Sequence, residues 1–99
     1  MKKGTLLRII HSKDFNPVDF DNKLRDLTHE DETEWYIEDV WMREIHDKVI
    51  DEGFEDWYYA DLYISYKDNV IPHANLILSY VKRMKLSNVV VKEIADAYV

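Results

Sequence analysis

Carboxylates dominate the chemistry this chain could do. Between Asp26 and Asp61 stand fourteen acidic residues and two basic ones, Arg43 and Lys48. Large aromatics are interleaved with them: Trp35, Tyr36, Trp41, Phe54, Trp57, Tyr58 and Tyr59. Carboxylates at this density suit three kinds of chemistry: proton transfer, coordination of a hard cation, or presentation of an anionic surface to a cationic partner.

The first two find little else to work with. Two glycines in the whole chain leave no phosphate-cradling loop, and there is no cysteine nucleophile. Ser12, Ser65, Ser79 and Ser87 sit in no hydrolase-type motif. The histidines, His11, His29, His46 and His73, are dispersed, with no H-x-H or H-x-x-x-H pair. Glu30, Asp31 and Glu34 are close enough in sequence for a hard cation, but EF-hand spacing is absent. A chain this short also has difficulty building a deep substrate pocket. The expectation is a protein that is not an enzyme and carries no cofactor or metal.

The third use fits the charge distribution. Net charge is −7, and it is segregated. Residues 1–25 carry six basic and three acidic groups, residues 26–61 two and fourteen, and residues 62–99 five and three. Acids belong in the first turn of a helix, and a charge run is commonly a solvated face. The excess goes beyond that need and would attract a basic partner and speed its encounter. Tryptophan and tyrosine supply the desolvated anchors such a contact requires. The candidate partner-binding residues are Glu30, Asp31, Glu32, Glu34, Glu38, Asp39, Glu55 and Asp56, with Trp35, Tyr36, Trp57 and Tyr59 among them. Tyr63 is a further aromatic not claimed by a core face.

Several elements must position these groups. Thr5 to Ile10 is short and apolar, bounded by Gly4 and His11-Ser12, and predicts a strand buried on both faces except near Arg8. Asn16 as N-cap and Pro17 at the first helical position open a helix, with Phe20, Leu24 and Leu27 as its apolar stripe. A second, acidic helix is expected to start near Thr28 or Asp31 and stop at Gly53, with Ile37, Trp41, Ile45 and Val49 stepping by four along its core face. Tyr36, Val40 and Ile50 interrupt the polar face of that helix. Trp57 to Tyr66 alternates with period two, which predicts a strand with Tyr58, Ala60, Leu62, Ile64 and Tyr66 on its buried face. Lys67-Asp68-Asn69 is a turn. Pro72 opens a third helix with Ala74, Ile77, Leu78, Val81 and Met84 on one face and Lys82, Arg83 and Lys85 at its end. Val89 to Ile94 forms a last strand, and the tail Ala95–Val99 extends it or turns helical.

The expected order is β-α-α-β-α-β, a single domain over residues 1–99. This implies an α/β fold, with α+β as the alternative: a three-stranded sheet covered by three helices, its last βαβ unit in parallel pairing. No apolar run reaches the ~18–20 residues of a membrane span. The Met1-Lys2-Lys3-Gly4 start is followed by too short an apolar run for a secretory signal. A soluble cytoplasmic protein without a membrane partner is expected.

In shape and charge the chain resembles small acidic inhibitors of the barstar type, which block a basic nuclease site; no motif is shared. That resemblance implies a protein partner with a basic surface, a nuclease or other nucleic-acid-binding protein. Direct nucleic-acid binding is not expected, because the basic footprint it needs is missing. The leading expectation is therefore a DNA-mimic-like inhibitor. It would be phage-encoded against host defence (anti-CRISPR or anti-restriction), or an immunity protein or antitoxin, working as a monomer or homodimer. An assembly subunit is the alternative, dimerising through the Trp57–Ser65 aromatic face or through the Val-rich last strand if that lies at an edge. A small metal-binding protein or enzyme comes third.

Overall fold

A computed structural model describes residues 3–98. The Met1-Lys2 start and Val99 at the end of the tail lie outside the described residues. The elements run β1 (Lys3–His11), α1 (Pro17–Glu30), β2 (Ile37–Lys48), β3 (Tyr58–Tyr66), α2 (Ala74–Met84) and β4 (Val89–Tyr98). The sheet is four-stranded in the order β2-β3-β1-β4, and each neighbouring pair is antiparallel. This is the split βαβ, ferredoxin-like topology, with both helices on one face of the sheet.

Three expectations are corrected. The fold is α+β, with four strands and two helices in the order β-α-β-β-α-β, not three strands and three helices. The second helix does not exist: α1 ends at Glu30 and the chain from Ile37 to Lys48 is a strand. No neighbouring strands are parallel; β3 and β4 share a direction, but β1 lies between them. The shape half of the resemblance to small α/β inhibitors falls with these corrections.

The strand β2 was hidden by arithmetic. Steps of four keep residues on one face of a helix, but four is also an even number, so they keep residues on one face of a strand as well. What separates the two is the β-branched and aromatic content: Trp35, Tyr36, Ile37, Val40, Trp41, Ile45, Val49 and Ile50 favour extended backbone. Tyr36, Val40 and Ile50, awkward on an amphipathic helix, were the local signal. A register shift between Ile37 and Asp39 then sets the faces, so that Ile37, Val40 and Met42 pack toward the helices and Trp41 turns away.

The other elements form for the expected reasons. The Asn16 side chain accepts a hydrogen bond from the Val18 amide at 2.8 Å, Pro17 opens α1, and Phe20 and Leu24 are buried beneath it. In α2 the ring Nδ1 of His73, not a residue at Pro72, caps the start by accepting from the Asn75 amide at 3.1 Å. Its C-cap, Lys85, takes the left-handed conformation at φ 51°. β4 runs through Tyr98, so the described part of the tail extends the strand. The core lies between sheet and helices and joins Leu7 and Ile9 of β1, Ala60, Leu62, Ile64 and Tyr66 of β3, and Phe20, Leu24, Ile77 and Val81. The Tyr66 hydroxyl is satisfied within it by Thr5 Oγ1 at 2.7 Å.

Candidate protein-interaction surface

Two corners and one strand carry the acidic residues. Glu30 ends α1, the α1–β2 connection holds Asp31, Glu32 and Glu34, and β2 carries Glu38, Asp39, Glu44 and Asp47. The β2–β3 hairpin tip adds Asp51, Glu52, Glu55 and Asp56. Because β2 is an edge strand, the groups of the corner and of β2 line one side of the molecule, while at the hairpin tip Asp51 reaches across toward Lys92 of β4. At 3.2–3.4 Å per residue, twelve residues of β2 span about 40 Å.

Several of these acids are engaged within the fold. The Asp31 carboxylate accepts from the Tyr80 hydroxyl at 2.8 Å and from Arg83 Nη1 at 2.7 Å, pinning the end of α1 to α2. Those two hydrogen bonds, Arg83 first, hold its carboxyl below the usual range despite desolvation. Glu44 meets His11 Nε2 at 3.3 Å, and Asp51 meets Lys92 Nζ at 3.5 Å. Asp56 lies 3.9 Å from Lys48. By contrast Glu32, Glu34, Asp39, Asp47, Glu52 and Glu55 form no ion pair with any described residue. The expected stack of Glu30, Glu34 and Glu38 on one helical face is absent, since the helix stops at Glu30.

The aromatic residues exchange the roles expected of them. Trp35 is 7% exposed and belongs to the core, edge-on to the rings of Tyr66 and Tyr80 at 5.8 and 5.9 Å. Trp57 is half-buried against Phe54 at 5.0 Å, and Tyr59 is half-buried on the uncovered face of β3. Tyr36 is 60% exposed, between the Glu34 corner and β2. Trp41, expected in the core, is 42% exposed on the uncovered face. The exposed aromatics beside free carboxylates are thus Tyr36 and Trp41. Trp41 comes opposite Tyr63 only through the register shift between Glu44 and Lys48; unshifted pairing continued from Lys48 and Tyr58 would place it opposite Ser65, so regular alternation does not signal this contact.

The uncovered face of the sheet is braced by a row of charges. Asp61, fully buried, accepts from Arg8 Nε at 3.0 Å and from Arg43 Nη2 at 2.9 Å. Arg8 reaches on to Glu93 at 3.8 Å, so Arg43, Asp61, Arg8 and Glu93 cross all four strands. Burial pushes the Asp61 carboxyl up, but the two arginines outweigh it and hold it below the usual range. β3 pairs on both sides, so its aromatic face and not an edge is what it leaves open, whereas β4 lies at an edge.

No group of three or more His, Asp or Glu is disposed to hold a metal ion among the described residues. No helix among the described residues is long and apolar enough to cross a membrane. Comparison with protein-family models, with curated proteins and with solved structures gave no match.

Proposed function

We propose that this chain is a protein-binding inhibitor that docks a basic surface of another protein onto its β2 side. The observation that carries this is the placement of Tyr36 and Trp41, exposed, next to Glu34 and Asp39, whose carboxylates have no ion-pair partner among the described residues. Free carboxylates supply attraction and orientation; exposed aromatics supply area that can be desolvated at little entropic cost.

The partner surface we favour is one that otherwise holds nucleic acid, as on a nuclease. Duplex DNA carries a charge per about 1.7 Å, so ~40 Å of it presents roughly two dozen charges. The chain offers twelve acids from Glu30 to Asp56, some of them paired internally. It is a sparse mimic, and the aromatic anchors make up the difference in contact energy. An inhibitor of a host defence nuclease, or an immunity protein, is the narrower form of this proposal.

The test is capture of partners from host lysate at low and high salt, then competition of the captured protein with duplex DNA. Release by DNA and by salt is the expected result. A partner held equally at both salt levels and indifferent to DNA would sink the mimic mechanism.

A further inference from the structure

The sheet has two open edges, and they are built differently. At β2 the edge is guarded: Arg25 Nη1 and Nη2 donate to the carbonyls of Ile37 and Glu38 at 2.8 and 3.0 Å. Its far end is broken by an irregularity between Glu44 and Lys48, with His46 at φ 63°. These are the devices by which natural sheets blunt an edge. At β4 a register shift leaves Lys92 without a partner on β1, but no described side chain hydrogen-bonds to the strand's backbone.

Beside β4 runs a groove of about 460 Å³. All six residues from Val89 to Ile94 line it. Side chains alternate between the two faces of a strand, so a groove lined by six in succession follows the strand's outer edge. Its far wall is α2 and the turn after it, with Val81 and Leu86. The rim is cationic: Lys82 and Lys85 have no ion-pair partner among the described residues, Lys92 beside them is paired with Asp51 at 3.5 Å, and Glu93 is the one acid lining the groove. In a chain of net charge −7 this is a local reversal of sign.

We infer that the β4 edge is a second docking site, which takes an extended acidic segment of a partner protein as a fifth strand. Six residues at 3.2–3.4 Å span about 20 Å, enough for a strand of ordinary length. Unpaired amides and carbonyls of β4 supply the ladder on either side of Lys92, the partly exposed Leu86, Val91 and Ile94 the apolar seats, and Lys82 and Lys85 the choice of an acidic sequence. A second copy of this chain is disfavoured as the occupant, because symmetric pairing would bring two lysine-rimmed grooves together. The site is opposite in charge to the β2 surface, and the two meet at the Lys92–Asp51 ion pair.

The probe is a synthetic peptide, Glu-Val-Glu-Val-Thr-Val-Glu, with a lysine-for-glutamate version as control, titrated into the isotopically labelled full chain by NMR. The expected result is amide shifts confined to β4 and α2 with the acidic peptide and none with the basic one. The double variant Lys82→Glu, Lys85→Glu, at exposed helix-end positions, should weaken binding about tenfold. Shifts centred on β2, equal binding of both peptides, or unchanged affinity in the double variant would overturn the assignment. Sedimentation of the chain alone should show a monomer; a dimer whose interface protects the β4 amides would make a second copy the occupant and overturn it too. Charge reversal at Glu34 and Asp39 should leave peptide binding untouched, which separates this site from the proposed β2 surface.

Discussion

The Trp41 indole lies stacked on the ring of Tyr63, centroids 4.3 Å apart and planes 15° from parallel, on the face of the sheet that neither helix covers. The Arg43 guanidinium sits 5.8 Å from the centre of the same tyrosine ring. The stack holds a large side chain in one orientation while leaving its outer surface in water. A pre-ordered aromatic loses little freedom when a partner covers it. Trp41→Ala should therefore cost about 1 kcal/mol of folding stability, the worth of an aromatic pair. It should cost about 2 kcal/mol or more of partner binding, as for an interface anchor. Urea unfolding measures the first, and calorimetry with the captured partner the second. Loss of stability with intact binding would remove Trp41 from the interface.

Trp35 and Tyr36 are sequence neighbours with opposite fates. Trp35→Ala empties a core position between Tyr66 and Tyr80 and should destabilise by about 3–5 kcal/mol. Tyr36→Ala should change stability by no more than about 0.5 kcal/mol, as for surface positions in general. Denaturant midpoints of the two variants, with slopes compared, check this. The same Tyr36 variant should bind the partner more weakly.

Asp61 makes acid stability a measurable property of the charge row. Its pKa in the fold lies below that of the unfolded chain, so its contribution is complete above the ordinary aspartate range near pH 4. That contribution fades as pH falls through the lowered value. Asp61→Asn should lose stability at neutral pH, by about 1–3 kcal/mol for a charged hydrogen-bonded group, and should show a shallower decline below about pH 4. Thermal unfolding from pH 2 to 7 distinguishes the two. Parallel curves for variant and wild type would show that Asp61 is not held ionised by Arg8 and Arg43.

The Tyr80 phenol is raised by burial and by its hydrogen bond to Asp31. Asp31→Ala removes the second cause, so this phenol should ionise at lower pH, closer to an ordinary tyrosine. The Tyr66 phenol, raised chiefly by burial, should still ionise last. Ultraviolet titration of phenolate absorbance, with Tyr80→Phe to assign the transition, provides the check.

Glu34 and Asp39 stand without ion pairs among the described residues, so reversing both to lysine should leave stability within about 0.5 kcal/mol. It should also weaken binding of the basic partner and flatten its dependence on salt. A salt slope identical to the wild type would place the contact elsewhere.

How far the sequence led depended on the kind of signal. Asn16-Pro17 with Phe20 and Leu24 marked α1 at its observed start, because capping chemistry and apolar spacing both act locally. The alternation from Tyr58 to Tyr66 marked β3 and its core face for the same reason. Residues 31–53 mimic a helix because steps of four serve helix and strand alike; the β-propensity of Ile37, Val40 and Trp41 is the competing signal that prevails in the fold. The acidic side was legible from charge segregation, but which aromatics face water was not. That depends on the register shift at Ile37/Asp39 and on which sheet face the helices cover, and both are set by tertiary packing. The β4 groove could not be seen at all, since it needs α2 and β4 in contact.

Lys3 of β1 pairs in register with Tyr98 of β4, so the two described ends of the chain leave the sheet side by side. In an antiparallel ladder the hydrogen bonds lie perpendicular to the strands. Pulling the ends apart therefore loads those bonds one at a time, as a zipper, and not all together in shear. The protein should yield at low force with β4 peeling first, which uncovers the edge of β1, while the β2–β3 hairpin that bears the acidic side stays intact. A tether at residues 3 and 98 would thus strip the lysine-rimmed groove, and break the Lys92–Asp51 ion pair, before it opened the β2–β3 hairpin.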